Sequence, residues 1–168
     1  GYLTQLNLEK TNNNTKQKLK PKVLFRYSPN NNMRKEDTGS TLSPINAFNI
    51  NRLDSTENYE TGFSTTLGLD YEILKNSKEF DFSIAQVINE KENKKMPSKT
   101  SLDEKLSDLV VSSSYKLSDK FELNYNGAID QNYKDINYSD IGTQINLNPI
   151  KIDFNYLEEN KHVGDQKY

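Results

Sequence analysis

TGFSTTLGLDYEI, residues 61–73, decides how this chain folds. Thr61, Phe63, Thr65, Leu67, Leu69, Tyr71 and Ile73 fall on one side of a period of two. Gly62, Ser64, Thr66, Gly68, Asp70 and Glu72 fall on the other. A dozen residues of such alternation predict a strand with one apolar and one wet face. A helix would put Leu67 and Asp70 on nearly the same side and would be weakened by both glycines. The pattern recurs. Phe80, Phe82, Ile84 and Ile88 alternate with Asp81, Ser83 and Ala85, and Leu109, Val111, Tyr115 and Leu117 with Asp108, Ser112, Ser114 and Lys116. Phe121–Ile129, Ile141–Leu147, Ile150–Tyr156 and Leu19–Tyr27 read the same way, with Tyr2–Leu8 as a shorter partner. The expectation is about eight strands, each near the roughly 9–11 residues of a tilted strand that crosses a bilayer.

The links between strands alternate in length. LKNSKE (74–79), SDK (118–120) and Asn148-Pro149 are short and rich in turn formers, whereas 28–60, 89–105 and 132–137 are long. Up-and-down strands then place every short turn on one rim and every long loop on the other, as in transmembrane barrels. Tyr71, Phe80, Tyr115 and Phe121 sit beside short turns, and Tyr27, Phe63 and Tyr156 near long loops, the positions of two interfacial aromatic girdles. Tyr138 has the wrong parity for the apolar face, which points to the loop or to a preceding bulge. Gln86 and Ser113 fall on the apolar face without a reason in the sequence. Within 98–109 a helical turn or two is expected. The fold class is therefore all-β, an antiparallel up-and-down meander forming an arc of a transmembrane β-barrel. Periodicity alone also fits a soluble β-sandwich used for adhesion or carbohydrate binding. Link alternation and strand length favour the barrel.

Composition narrows the classes further. Only 33% of residues are hydrophobic, yet 10 Tyr and 7 Phe recur at ordered spacing, unlike a disordered chain. A net charge of −2 with mixed signs carries no nucleic-acid footprint. There is no Cys, so disulfide scaffolds and thiol chemistry are excluded. No run of about 18 apolar residues occurs, so strands must do any membrane crossing. Residues 1–168 are expected to be one partial outer-membrane barrel domain, truncated at both ends.

Several segments resemble the barrel of the LptD family of lipopolysaccharide-assembly proteins. PKVLFRYSPN (21–30) is similar to a strand that enters a Y-x-P loop, and FNINRLDSTENYETGFSTTLGLDYEI (48–73) resembles its N-R-[FL]-x-G-x-D-R loop and following strand. FSIAQV (82–87) is similar to its S-I-G-Q strand, Asp108–Asp130 to its S-D-L-V hairpin, and IDFNYLEENKHVGDQKY (152–168) to the strand and loop after it. Ser55–Glu57 depart from the family's glycine-centred turn, and Ala85 stands where glycine is frequent. The resemblance implies a non-catalytic component of the outer-membrane translocon that assembles lipopolysaccharide at the cell surface. The implied partners are an LptE-like lipoprotein plug, a periplasmic lipopolysaccharide-transport bridge, lipopolysaccharide and outer-membrane lipid, with no nucleic acid. Lipopolysaccharide would leave sideways between poorly paired strands. A generic outer-membrane porin or transporter barrel is the alternative within the membrane class.

No catalytic, cofactor-binding or metal-binding residues are assigned, and no cofactor. His162 is the only histidine and lacks partners at metal-ligand spacing. The acidic pairs Asp103-Glu104 and Glu158-Glu159 read as solvated loop charge, or as sites where cations carried by lipopolysaccharide bridge. No phosphate loop or nucleophile elbow is present. Ser64, Thr66, Asp70, Asn124, Asn126 and Asn155 are expected to line a wet lumen.

Overall fold

The computed structural model of the chain describes residues 1–29, 41–53 and 60–160, with the backbone of 166–167. Its strands are β1 (Tyr2–Gln5), β2 (Leu8–Asn12), β3 (Thr15–Ser28), β4 (Gly62–Lys75), β5 (Lys78–Asn89), β6 (Leu109–Ser118), β7 (Phe121–Ile129), β8 (Ile136–Leu147), β9 (Ile150–Glu159) and β10 (Gln166–Lys167). They make one antiparallel sheet in the order β1-β3-β4-β5-β6-β7-β8-β9-β10, with β2 also paired to β3. β1 and β2 share a register on β3, since Tyr2 faces Phe25 and Leu8 faces Leu19. Between them Leu6 N donates to Pro21 O at 3.1 Å. Pro21 has no N–H to return the bond, so one strand reads as two. With that merger the long strands match the expected set. β1 and β10 lie at opposite edges, and the sheet is an open arc.

Two-residue turns close Asn12 on Thr15, Lys75 on Lys78, Ser118 on Phe121 and Leu147 on Ile150. At Asn76 and Ser77 both φ angles are positive, 47° and 66°, the pairing that a type I′ hairpin turn needs to match strand twist. The 74–79 link is therefore shorter than its polar run suggested, because Lys75 and Lys78 stay in the ladder. At the other rim, connections 29–61, 90–108 and 130–135 are long. Link lengths alternate as the sequence implied.

The two faces are inverted relative to a water-soluble sheet. The outward residues Leu67 and Phe154 are 46% and 62% exposed, while the inward Ser64 and Thr66 are 2% and 0%. Apolar side chains left in the open along consecutive strands suit a hydrocarbon neighbour. Among the described residues no second sheet covers them, as a sandwich formed within this chain would require. Near the short turns Phe80 meets Tyr115 edge-on at 6.2 Å, and near the long loops Phe25 stacks on Phe63 at 6.4 Å.

The irregular positions find physical causes. Register slips between Ala128 and Ile129, so Ile129 faces Ile136, Ala128 faces Tyr138, and Asn137 is the extra residue of a bulge. Tyr138 therefore points inward, beside Ala128. Gln86 is held at both ends of its amide: Nε2 donates to Ser107 O at 3.0 Å, and Tyr133 Oη donates to Oε1 at 3.0 Å. Within 98–109 a single 3-10 turn forms at Ser98–Thr100.

Candidate functional site

Near the long loops, the inner face carries a row of small residues. Gly68, Ala85, Val110 and Ala128 are successive partners across β4–β7. Loops 41–53 and 90–108 fold onto this row and bring Leu42, Ala47, Leu53, Met96 and Leu102 into one buried cluster. Gly68 is the socket. A Cβ there would lie 2.7 Å from Cζ of Phe48 and 2.6 Å from Ile84 O. The Phe48 ring also carries Lys22 Nζ 4.3 Å from its centroid, and the same ammonium lies 2.8 Å from Asp70 Oδ1. Gly68→Ala is expected to weaken docking of the 41–53 loop by about 1–3 kcal/mol, the usual cost of overpacking. The Ile84 carbonyl belongs to the ladder and cannot swing aside. Faster amide exchange at Ala47 and Asn49 would register the loss; unchanged exchange would remove Gly68 from this role.

Above the socket the loop is tied by a buried charge network. Arg52 Nη1 pairs with the Glu60 carboxylate and donates to Ser64 Oγ at 3.2 Å. Its Nη2 donates to Thr66 Oγ1 at 2.8 Å and its Nε to Ala47 O at 3.0 Å. Arg26, from the inner face of β3, donates to Ile50 O and Glu60 O, both at 2.7 Å, with Nη1 3.8 Å from Glu60 Oε2. Burial pulls the Arg52 guanidinium below its ordinary pKa, and the Glu60 carboxylate opposes that shift. The 90–108 loop is held more by amides and hydroxyls. Asn89 Nδ2 donates to Leu102 O and Glu104 O at 3.2 and 2.8 Å, Val87 N donates to Ser107 Oγ at 2.9 Å, and Asn137 Nδ2 donates to Asp108 Oδ2 at 2.9 Å.

Towards the short turns the inner face is uncovered and polar. Lys16, Lys18 and Lys22 of β3 pair with Glu9, Glu72 and Asp70 at 3.0, 2.6 and 2.8 Å. The Lys16 and Lys18 pairs are open to water and set surface chemistry more than stability, whereas Lys22 is largely covered by the Phe48 ring. Beyond them Asp81, Ser83, Ser112, Ser114, Asn124 and Asn126 surround a shallow depression of about 200 Å³. A carboxylate, hydroxyls and amides make a hydrated wall.

The expected lumen residues divide between these halves. Asp70, Asn124 and Asn126 face the open polar part. Asn155 is exposed and covers Gly142, whose Cβ would stand 3.0 Å from its Oδ1. Ser64 and Thr66 point inward as expected but hold Arg52 and not water. Asp103 and Glu104 are half-buried and so are not fully solvated loop charge, and their backbone carbonyls accept from Asn93 N and Asn89 Nδ2. Glu158 accepts from Tyr156 Oη at 3.2 Å. His162 and Ser55–Glu57 lie outside the described residues. Among the described residues no group of three His, Cys, Asp or Glu could hold a metal. Arg52 and Glu60 escaped the sequence reading. Arg52 stands in the N-R-[FL] stretch that carries the resemblance, and the need for a cover was signalled by the inward row turning apolar at Leu24, Ala85, Val87, Val110 and Ala128.

Outward apolar rows, tight turns on one rim, long loops on the other and a hydrated inner wall define a segment of an outer-membrane-type β-barrel. The family model for LPS transport system D, LptD, matches residues 3–168, and the chain belongs to that family. No curated protein matches the chain. Membership places it in lipopolysaccharide transport and assembly, in a family of outer-membrane proteins with lipopolysaccharide as substrate.

Proposed function

We propose that this chain is a wall segment of the outer-membrane translocon that delivers lipopolysaccharide to the cell surface, and that it works without catalytic residues. The observation carrying this reading is the two-part inner face: roofed by packed loops at one rim, open and rich in hydroxyls and amides towards the other. An amphiphile arriving from the short-turn side, the periplasmic side of such barrels, meets a wall that can exchange hydrogen bonds with sugars. Sideways release requires only that strands part, with no covalent chemistry. An eight-stranded closed barrel is filled by its own side chains, so this arc belongs to a wider barrel with room for a lipoprotein plug of the LptE kind. A periplasmic bridge would supply its cargo, and the outer membrane is its location.

A photoreactive residue at Asn126 of the full-length protein tests this reading. During active transport it is expected to capture lipopolysaccharide, whereas the same group at outward-facing Ile152, near the short-turn rim, captures none. Equal capture at both, or none at Asn126, would reject the luminal route along this wall.

A further inference from the structure

The outward face has a gap in an otherwise continuous belt. Following the ladder sideways, Leu19, Tyr71, Phe82, Ser113, Tyr125, Ile141 and Tyr156 are successive cross-strand partners. Each is a large apolar or aromatic residue except Ser113. Around it Phe80, Tyr115, Leu123 and Tyr125 enclose a mostly apolar notch of about 330 Å³. Phe80 and Tyr115 brace one wall through their edge-on contact. The opposite wall is drawn aside by a second small residue. The Tyr125 ring leans along its own strand over Gly127, where a Cβ would lie 2.5 Å from Oη and 2.9 Å from Cζ. Ser113 removes a side chain from the belt, and Gly127 gives Tyr125 somewhere else to lie.

We propose that this notch seats one acyl chain of a phospholipid of the periplasmic leaflet. It is continuous with the apolar rows that face the bilayer. Its residues stand three to six positions from the short turns Asn76–Ser77 and Asp119–Lys120. At a rise of roughly 3.3 Å per residue and a tilt near 45°, that is roughly 7–14 Å above the short-turn rim. The hydrocarbon layer is about 30 Å thick, so the notch opens into its nearer half. A chain lying in it touches apolar walls on several sides, where a flat belt offers one, and gains dispersion contacts accordingly. The seat rests on the outward rows facing lipid, the orientation that the transport role also needs.

The test uses the full-length protein in its native complex, reconstituted with phosphatidylethanolamine carrying a diazirine in its acyl chain. After illumination, adducts mapped by peptide mass spectrometry are expected to concentrate on the notch residues above the level at Ile141 and Ile152. Gly127→Ala pushes Tyr125 back over Ser113, and Ser113→Phe fills the gap directly. Each is expected to abolish that enrichment while labelling at Ile152 persists. Both substitutions keep the outward face apolar, and persistent labelling at Ile152 reports that the barrel is still folded in the bilayer. Even labelling along the outward rows, or enrichment that survives Gly127→Ala, would overturn the seat while leaving the lipid-facing orientation standing. An outward face that takes no label anywhere would overturn that orientation as well.

Discussion

Arg52→Ala is expected to free the 41–53 loop from the inner wall and to leave the sheet intact. The Arg52 side chain is fully buried and bridges one carboxylate, two hydroxyls and one carbonyl. Removing one member of a buried ion pair typically costs about 3–5 kcal/mol, because the partner charge is left in a poor solvent. The lower end applies here, since Arg26 Nη1 remains 3.8 Å from Glu60 Oε2 and shares its field. About 3 kcal/mol on a local opening equilibrium is about a hundredfold. The readout is amide exchange at Ala47 and Asn49, whose N–H groups bond to Ser43 O and Asn46 O inside the loop. Arg52→Lys keeps the charge but not the planar fork, and should fall between wild type and alanine. If alanine left exchange unchanged, the loop would be held by the Phe48 socket and apolar cluster alone.

How this loop came to be invisible in the sequence is a matter of distance and period. The strands were legible because a two-residue repeat is a local property: Thr61–Ile73 declares its faces without reference to any other segment. Three of the four two-residue turns were legible too, since Asn, Ser, Asp and Pro stand where the chain reverses, whereas the reversal at Asn13–Asn14 was not singled out. The roof obeys no period. Leu42, Ala47, Leu53, Met96 and Leu102 come from two irregular loops and meet only because the sheet brings their anchors together. Nothing local to Arg52 or Glu60 announces that they pair, or that Ser64 and Thr66 lie beneath Arg52.

The glycines make the same point from the other direction. Gly68 and Gly127 sit in strand interiors where glycine costs stability. One lies under the Phe48 ring on the inner face, the other under the Tyr125 ring on the outer face. In both places an aromatic ring needs the space that a Cβ would take. Sequence alone excludes a helix from such residues but cannot say which ring will arrive, because Phe48 lies twenty positions before Gly68 and on a different element.

The widest contrast is expected between two neighbours on β6. Val111 lies on the outward row with Leu69, Ile84 and Gly127, eight positions from the short turn at Asp119, and Ser112 points to the open polar side between Ser83 and Asn126. Val111→Arg puts a guanidinium at mid-depth in hydrocarbon, at about 2–4 kcal/mol on a barrel's lipid face. Ser112→Arg adds the same group to a wall already lined by carboxylate, hydroxyl and amide, and should cost within about 0.5 kcal/mol, as for surface substitutions generally. Reversible urea unfolding of the full-length protein in lipid vesicles gives both numbers on one scale. Membrane recovery of the two variants in cells supplies an independent ranking. The difference arises because β-strand side chains change face at every residue, so a single step along the chain exchanges lipid for water. Equal losses for the two variants would mean that Val111 and Ser112 share one environment, and the outward rows would then face something other than a bilayer.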